Sequence, residues 1–78
     1  MDTTLLNRIT TDPKILVGKP IIRGMRMSVE HVLKMLARGL SHEEIFSDYP
    51  FLEEDDIKAC LLYAALKIST GTEIEIEA

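Results

Sequence analysis

At 78 residues the chain is one domain with a small core, near the size at which burial alone leaves stability marginal, so self-association into a homodimer is expected. A lone cysteine, Cys60, excludes an internal disulfide and fits a reducing cytoplasm; no apolar run approaches a membrane span and the N-terminus lacks a secretory signal, so a soluble cytoplasmic protein is expected. The net charge of −4 hides a polarity, because residues 1–38 carry seven Lys/Arg against three Asp/Glu (+4) and residues 39–78 carry two against ten (−8). Two surfaces of opposite sign serving different partners would follow, or else halves that attract each other within a dimer.

Residues 1–7 read as an irregular lead-in. Arg8-Ile9-Thr10-Thr11 has β-branched character and stops at the turn signal Asp12-Pro13. Ile15-Leu16-Val17 and Ile21-Ile22-Arg23 flank Gly18-Lys19-Pro20, so short extended segments or strands are expected in a basic, turn-rich arm over residues 8–28. Residues 14–29 hold four of the nine basic side chains, Lys14, Lys19, Arg23 and Arg26.

A first helix is expected over 29–38, with Ser28 as N-cap and Val29, Val32, Leu33, Leu36 and Leu40 as its apolar stripe; Gly39 ends it. The second, over 42–47, opens with the capping box Ser41…Glu44 and stops before Pro50. The third, over 54–69, opens with Glu53, Glu54, Asp55 and Asp56, which complement its dipole, and ends before Gly71. The last seven residues, 72–78, alternate Glu with Ile and read as a strand or an acidic tail. The expected fold is mainly α, a three-helix helix-turn-helix body behind an extended or β arm, with residues 8–71 as the domain.

Arg8-Ile9, Asp12-Pro13, Gly18-Lys19-Pro20-Ile21-Ile22-Arg23-Gly24-Met25-Arg26, Gly39-Leu40-Ser41-His42-Glu43-Glu44-Ile45, Asp48-Tyr49-Pro50 and Asp56-Ile57 follow one another in an order that resembles the bacterial domain of unknown function 433 family. The resemblance covers roughly residues 8–66. It implies a homeodomain-like three-helix fold and, for part of the family, an antitoxin encoded beside a nuclease-type toxin with a PIN-like fold. Two positions depart from the pattern: Met25 stands where threonine is usual and Ser28 where proline is usual.

A DNA-reading helix needs exposed Arg, Lys, Asn, Gln or Ser, whereas the third helix opens with four acids and continues Lys58-Ala-Cys-Leu-Leu-Tyr-Ala-Ala-Leu-Lys67, apolar almost all round. It reads as a core and dimer element, which leaves Lys14, Lys19, Arg23 and Arg26 as the DNA-contact candidates. Their alternative is structural, namely pairing with acids of the third helix or of a second subunit. His31 and His42 lack metal-ligand spacing, Cys60 has no evident base beside it, and Gly18-Lys19 is no Walker loop, so neither enzyme, metal nor cofactor is expected. Glu73, Ile74, Glu75, Ile76 and Glu77 are the partner-binding candidates, able to join a sheet edge or a basic toxin surface, unless they form only a solubilising terminus. The expected function is an antitoxin that neutralises a nuclease-type toxin, with operator DNA as a further partner. A stand-alone helix-turn-helix regulator and a structural interaction module are the alternatives.

Overall fold

Local chemistry accounts for most of the element boundaries in the computed structural model, which describes residues 3–69. Two short strands, β1 (Ile9–Thr10) and β2 (Ile21–Ile22), are followed by three helices, α1 (Val29–Ala37), α2 (His42–Asp48) and α3 (Glu54–Ser69). The strands pair antiparallel with Ile9 opposite Ile22 and Thr10 opposite Ile21, so the chain supplies its own partner for each. Gly71 and the expected tail 72–78 lie outside the described residues.

The turn after β2 explains the Arg23-Gly24 pair. Both residues have positive φ (46° and 70°), the signature of the primed turn that matches strand twist, and the Met25 amide donates to the Ile22 carbonyl at 2.8 Å. Thr10 Oγ1 accepts from the Gly24 amide at 3.0 Å, locking the turn to β1. Met25 is half-buried against the core and Ser28 pairs with Ile21 in an isolated bridge, so both departures from the family pattern fit this geometry.

Each helix end meets a specific partner. Ser28 Oγ accepts from the His31 amide at 3.0 Å. Gly39, at φ 89°, donates to the Leu36 carbonyl while Leu40 donates to that of Met35, the paired bonds of a Schellman stop. Ser41 and Glu44 exchange side-chain and amide bonds at 3.1 and 3.0 Å, completing the expected capping box.

The core joins Ile22 of β2, Val29, Val32 and Met35 of α1, Ile45 of α2, and Ile57 and Cys60 of α3. Three expectations change. Residues 3–8 form a 3-10 helix packed on α3, with Leu5 and Leu6 half-buried, where an irregular lead-in was expected; the apolar pair gives the segment a reason to settle. Leu16–Gly18 is a 3-10 turn in place of an extended segment, with Leu16 and Val17 at φ 48° and 58° ahead of Gly18 at 77°. The Asp12 turn drives it: Asp12 Oδ1 accepts from the Lys14 amide and its carbonyl accepts from that of Ile15, coiling the chain before a strand can form. Finally, α3 is buried through Leu62, with Leu61 48% exposed on the outward side of that last packed turn, and Ile68 is 73% exposed because the helix outruns the body beneath it.

Candidate functional site

Two regions carry the functional candidates: the seam where the arm meets the start of α3, and the face where α3 passes α1. At the seam, Asp56 is fully buried. Its Oδ1 accepts from Arg23 Nε at 3.0 Å and Arg8 Nη1 at 3.0 Å; its Oδ2 accepts from Arg23 Nη2 at 2.8 Å and the Glu53 amide at 2.8 Å. Arg23 thus holds the carboxylate bidentately and also donates to the Phe51 carbonyl at 2.9 Å. Arg8 is further paired with Glu53 at 2.6 Å and lies 3.7 Å from Asp55. The bond from the Glu53 amide makes Asp56 half of a capping box for α3, so one carboxylate both starts the helix and ties it to the arm.

Burial by itself would push the Asp56 carboxyl up, but hydrogen bonds from Arg23, the Glu53 amide and Arg8 outweigh it, and the net shift is downward from 3.8. Arg8 is raised, chiefly by its bond to Glu53 and then by Asp56; Arg23 is raised chiefly by Asp56. A polar hollow of about 430 Å³ opens over the seam between Asn7, Arg8, Arg23, Glu53 and Asp55. Its arginines are already matched by carboxylates, so it offers an incoming anion little net attraction.

The charge polarity along the sequence therefore does not become two separate faces here: front-half arginines and back-half carboxylates neutralise each other inside one subunit. The four DNA-contact candidates divide accordingly. Arg23 is committed to Asp56 and Phe51. Lys19 pairs with Glu30 at 2.9 Å, and Lys34 meets the same carboxylate at 3.0 Å, holding Glu30 down at about 2, mainly through the Lys19 bond. Lys14 and Arg26 are exposed and make no ion pair among the described residues. The partner-binding candidates Glu73, Ile74, Glu75, Ile76 and Glu77 lie outside the described residues.

The histidines sit between helices. His31 Nε2 lies 3.1 Å from the Tyr49 hydroxyl, and His42 Nδ1 lies 2.7 Å from Glu54, tying α2 to the start of α3. Cys60 is fully buried, and burial, with a smaller contribution from the Asp56 charge, pushes its thiol up to about 12; it is a core side chain and not a nucleophile at neutral pH. Among the described residues, His, Cys, Asp and Glu form no cluster of three able to hold a metal, and no helix is long and apolar enough to cross a membrane.

Sequence reading missed the second region. Between α1 and α3 lies a cleft of about 420 Å³, floored by Val29, Leu33, Ala37, Tyr63 and Ala64 and rimmed by Glu30, Lys34 and Lys67. Lys67 Nζ stands 5.5 Å from the centre of the Tyr63 ring. Beside it runs the uncovered stretch of α3 that carries Leu61, Ala65 and Ile68, one stripe by helical spacing. Ala37 after Leu33, four apart and apolar near the end of α1, was the available signal.

The fold and these regions define a small, mainly helical domain with a β-paired arm and an apolar cleft between α1 and α3. The chain belongs to the DUF433 family, proteins of unknown function, whose family model matches residues 9–64. It is also 36% identical over 56 residues to an uncharacterized protein, y4eO, of Sinorhizobium fredii, covering 72% of this chain and 25% of that protein. The chain thus spans about a quarter of the length of that relative. No solved structure matches it.

Proposed function

We propose that this protein is a cytoplasmic, homodimeric antitoxin that neutralises a nuclease-type toxin through the C-terminal half of the chain. The observation that carries the reading is the apolar face of α3 beyond its core contacts, where Leu61 is 48% and Ile68 73% exposed beside the α1–α3 cleft. Isolated apolar side chains on a surface are ordinary, but a helical stripe continuous with an apolar cleft is the form that protein interfaces take. Glu73, Glu75 and Glu77 add carboxylates suited to the basic surface of a nuclease.

Operator DNA is the further partner in this reading, contacted through Lys14 and Arg26, with Lys19 available once it leaves Glu30. Two or three phosphate contacts are few, which favours DNA binding as an accessory of the dimer over a regulator acting alone. Each contact contributes a slope of about −0.9 in log K against log salt, so a total near −2 to −3 per subunit is expected.

Co-expression with a nuclease-type toxin sought in the reading frames adjacent to this gene tests the reading. Growth is expected to recover with the full chain and to fail when residues 72–78 are deleted. Full rescue by the shortened chain removes the tail from the interaction, and no rescue by the full chain overturns the antitoxin reading.

A further inference from the structure

The α1–α3 cleft specifies the chemistry of what would fill it. Its floor is apolar, from Val29, Leu33, Ala37, Tyr63 and Ala64, and its rim is net cationic, because Lys34 and Lys67 outnumber Glu30, which Lys34 already meets at 3.0 Å. A suitable occupant presents aliphatic side chains on one side and carboxylates along its edges. An ordinary helix lacks that compact alternation, whereas an extended acid–aliphatic repeat has it.

The chain carries one segment of that kind, Glu73-Ile74-Glu75-Ile76-Glu77, and it follows α3 directly. Lys67 stands on the cleft rim two residues before the end of the helix at Ser69. Gly71 lies between the helix and the segment, where the absence of a side chain lets the path reverse. The six residue-to-residue steps from Gly71 to Glu77 can reach roughly 20 Å, whereas the α3 wall from Lys67 back to Tyr63 rises only about 6 Å. A tether this short also keeps the local concentration of the segment around the millimolar range, ahead of any free competitor.

We propose that residues 73–77 seat in the α1–α3 cleft of their own chain, with Ile74 and Ile76 on its floor and the glutamates toward Lys34 and Lys67. The cleft is then an internal receptor for an acid–aliphatic segment, and a partner protein engages that segment or the cleft only by displacing one from the other. This inference is independent of the antitoxin reading, which concerns what the segment meets when a toxin is present.

The test uses the full chain, isotopically labelled, with a nitroxide on Ala78→Cys; buried Cys60 is not modified in the folded protein. Loss of amide signal centred on Leu33, Ala37, Tyr63 and Ala64 is expected beyond that of the residues next to the label, and adding Ile74→Asp with Ile76→Asp should restore the cleft signals while leaving the shifts of the helical body unchanged. Unchanged intensities around the cleft, or signal loss centred elsewhere, would overturn the proposal. So would the same signal loss in an isotopically labelled, spin-free copy mixed with a spin-labelled, unlabelled one, because the occupant would then belong to a second subunit. Reversal by Lys34→Glu with Lys67→Glu is a separate requirement: the signal loss should diminish, and persistence at full strength would refute the charge component.

Discussion

Replacing Asp56 with asparagine tests how the arm is held to the helical body, since the change removes charge while nearly preserving shape. Both carboxylate oxygens now accept two hydrogen bonds each, from Arg23, Arg8 and the Glu53 amide. Either orientation of an asparagine amide keeps one oxygen and turns its NH2 toward two donors. Two charge-assisted bonds are lost, each about 1.5–3 kcal/mol. Arg8 and Arg23 are 28% and 35% exposed and recover some hydration, which reduces the loss. The expected destabilisation is about 2–4 kcal/mol, near the cost of breaking a buried ion pair with an accessible partner. For a domain of this size that lowers Tm by roughly 10–30 °C.

Urea and thermal unfolding followed by circular dichroism read the difference, and its pH dependence checks the cause. The folded Asp56 carboxyl lies below its reference value of 3.8, so its stabilisation is complete above that value and is lost as pH falls through the lower folded one. The gap between wild type and Asp56→Asn should therefore be constant from about pH 7 to 5 and narrow below 3.8. Glu30 and Glu44 are also lowered but are common to both proteins, so they cancel in the difference. A gap under about 0.5 kcal/mol, or one that does not narrow in acid, would refute the assignment.

Three further outcomes follow from local geometry. Cys60 should resist maleimide in the folded protein and react only at the rate of unfolding, as a mass-spectrometric time course with and without urea will show; prompt native labelling contradicts its burial. Gly39→Ala should cost about 1–2 kcal/mol in urea unfolding although nothing lies within 4 Å of the added methyl, because φ is 89° and the penalty is conformational. Val17→Asn should stabilise by about 0.5–1 kcal/mol, since a β-branched residue at φ 58° is strained and its 94% exposed side chain contributes little packing; destabilisation would show that the loop has another conformation.

The helices were legible in the sequence because their ends are determined within a few residues. Ser28, Gly39 and the Ser41–Glu44 box each bond a neighbour three positions away, and the expected boundaries lie within one residue of α1, α2 and α3. The seam was not legible, because Asp56 meets partners 33 and 48 residues earlier, and four successive acids give no sign of which one turns inward. Arg23 illustrates the same ambiguity: its place in the turn-rich arm was legible, but its side chain fits equally well on phosphate or carboxylate. The exposed end of α3 escaped for another reason. An apolar run records what a helix can bury, and the length of the body beneath determines how much of it is buried.

Titration of a purified nuclease-type toxin found beside the gene with this protein, read as residual RNA cleavage, is the most direct test of the antitoxin proposal. The wild type should abolish cleavage at a fixed stoichiometry, whereas Leu61→Glu with Ile68→Glu, which keeps the buried core intact, should leave cleavage unaffected. Undiminished cleavage with excess folded wild type, or equal inhibition by the double variant, would contradict the account.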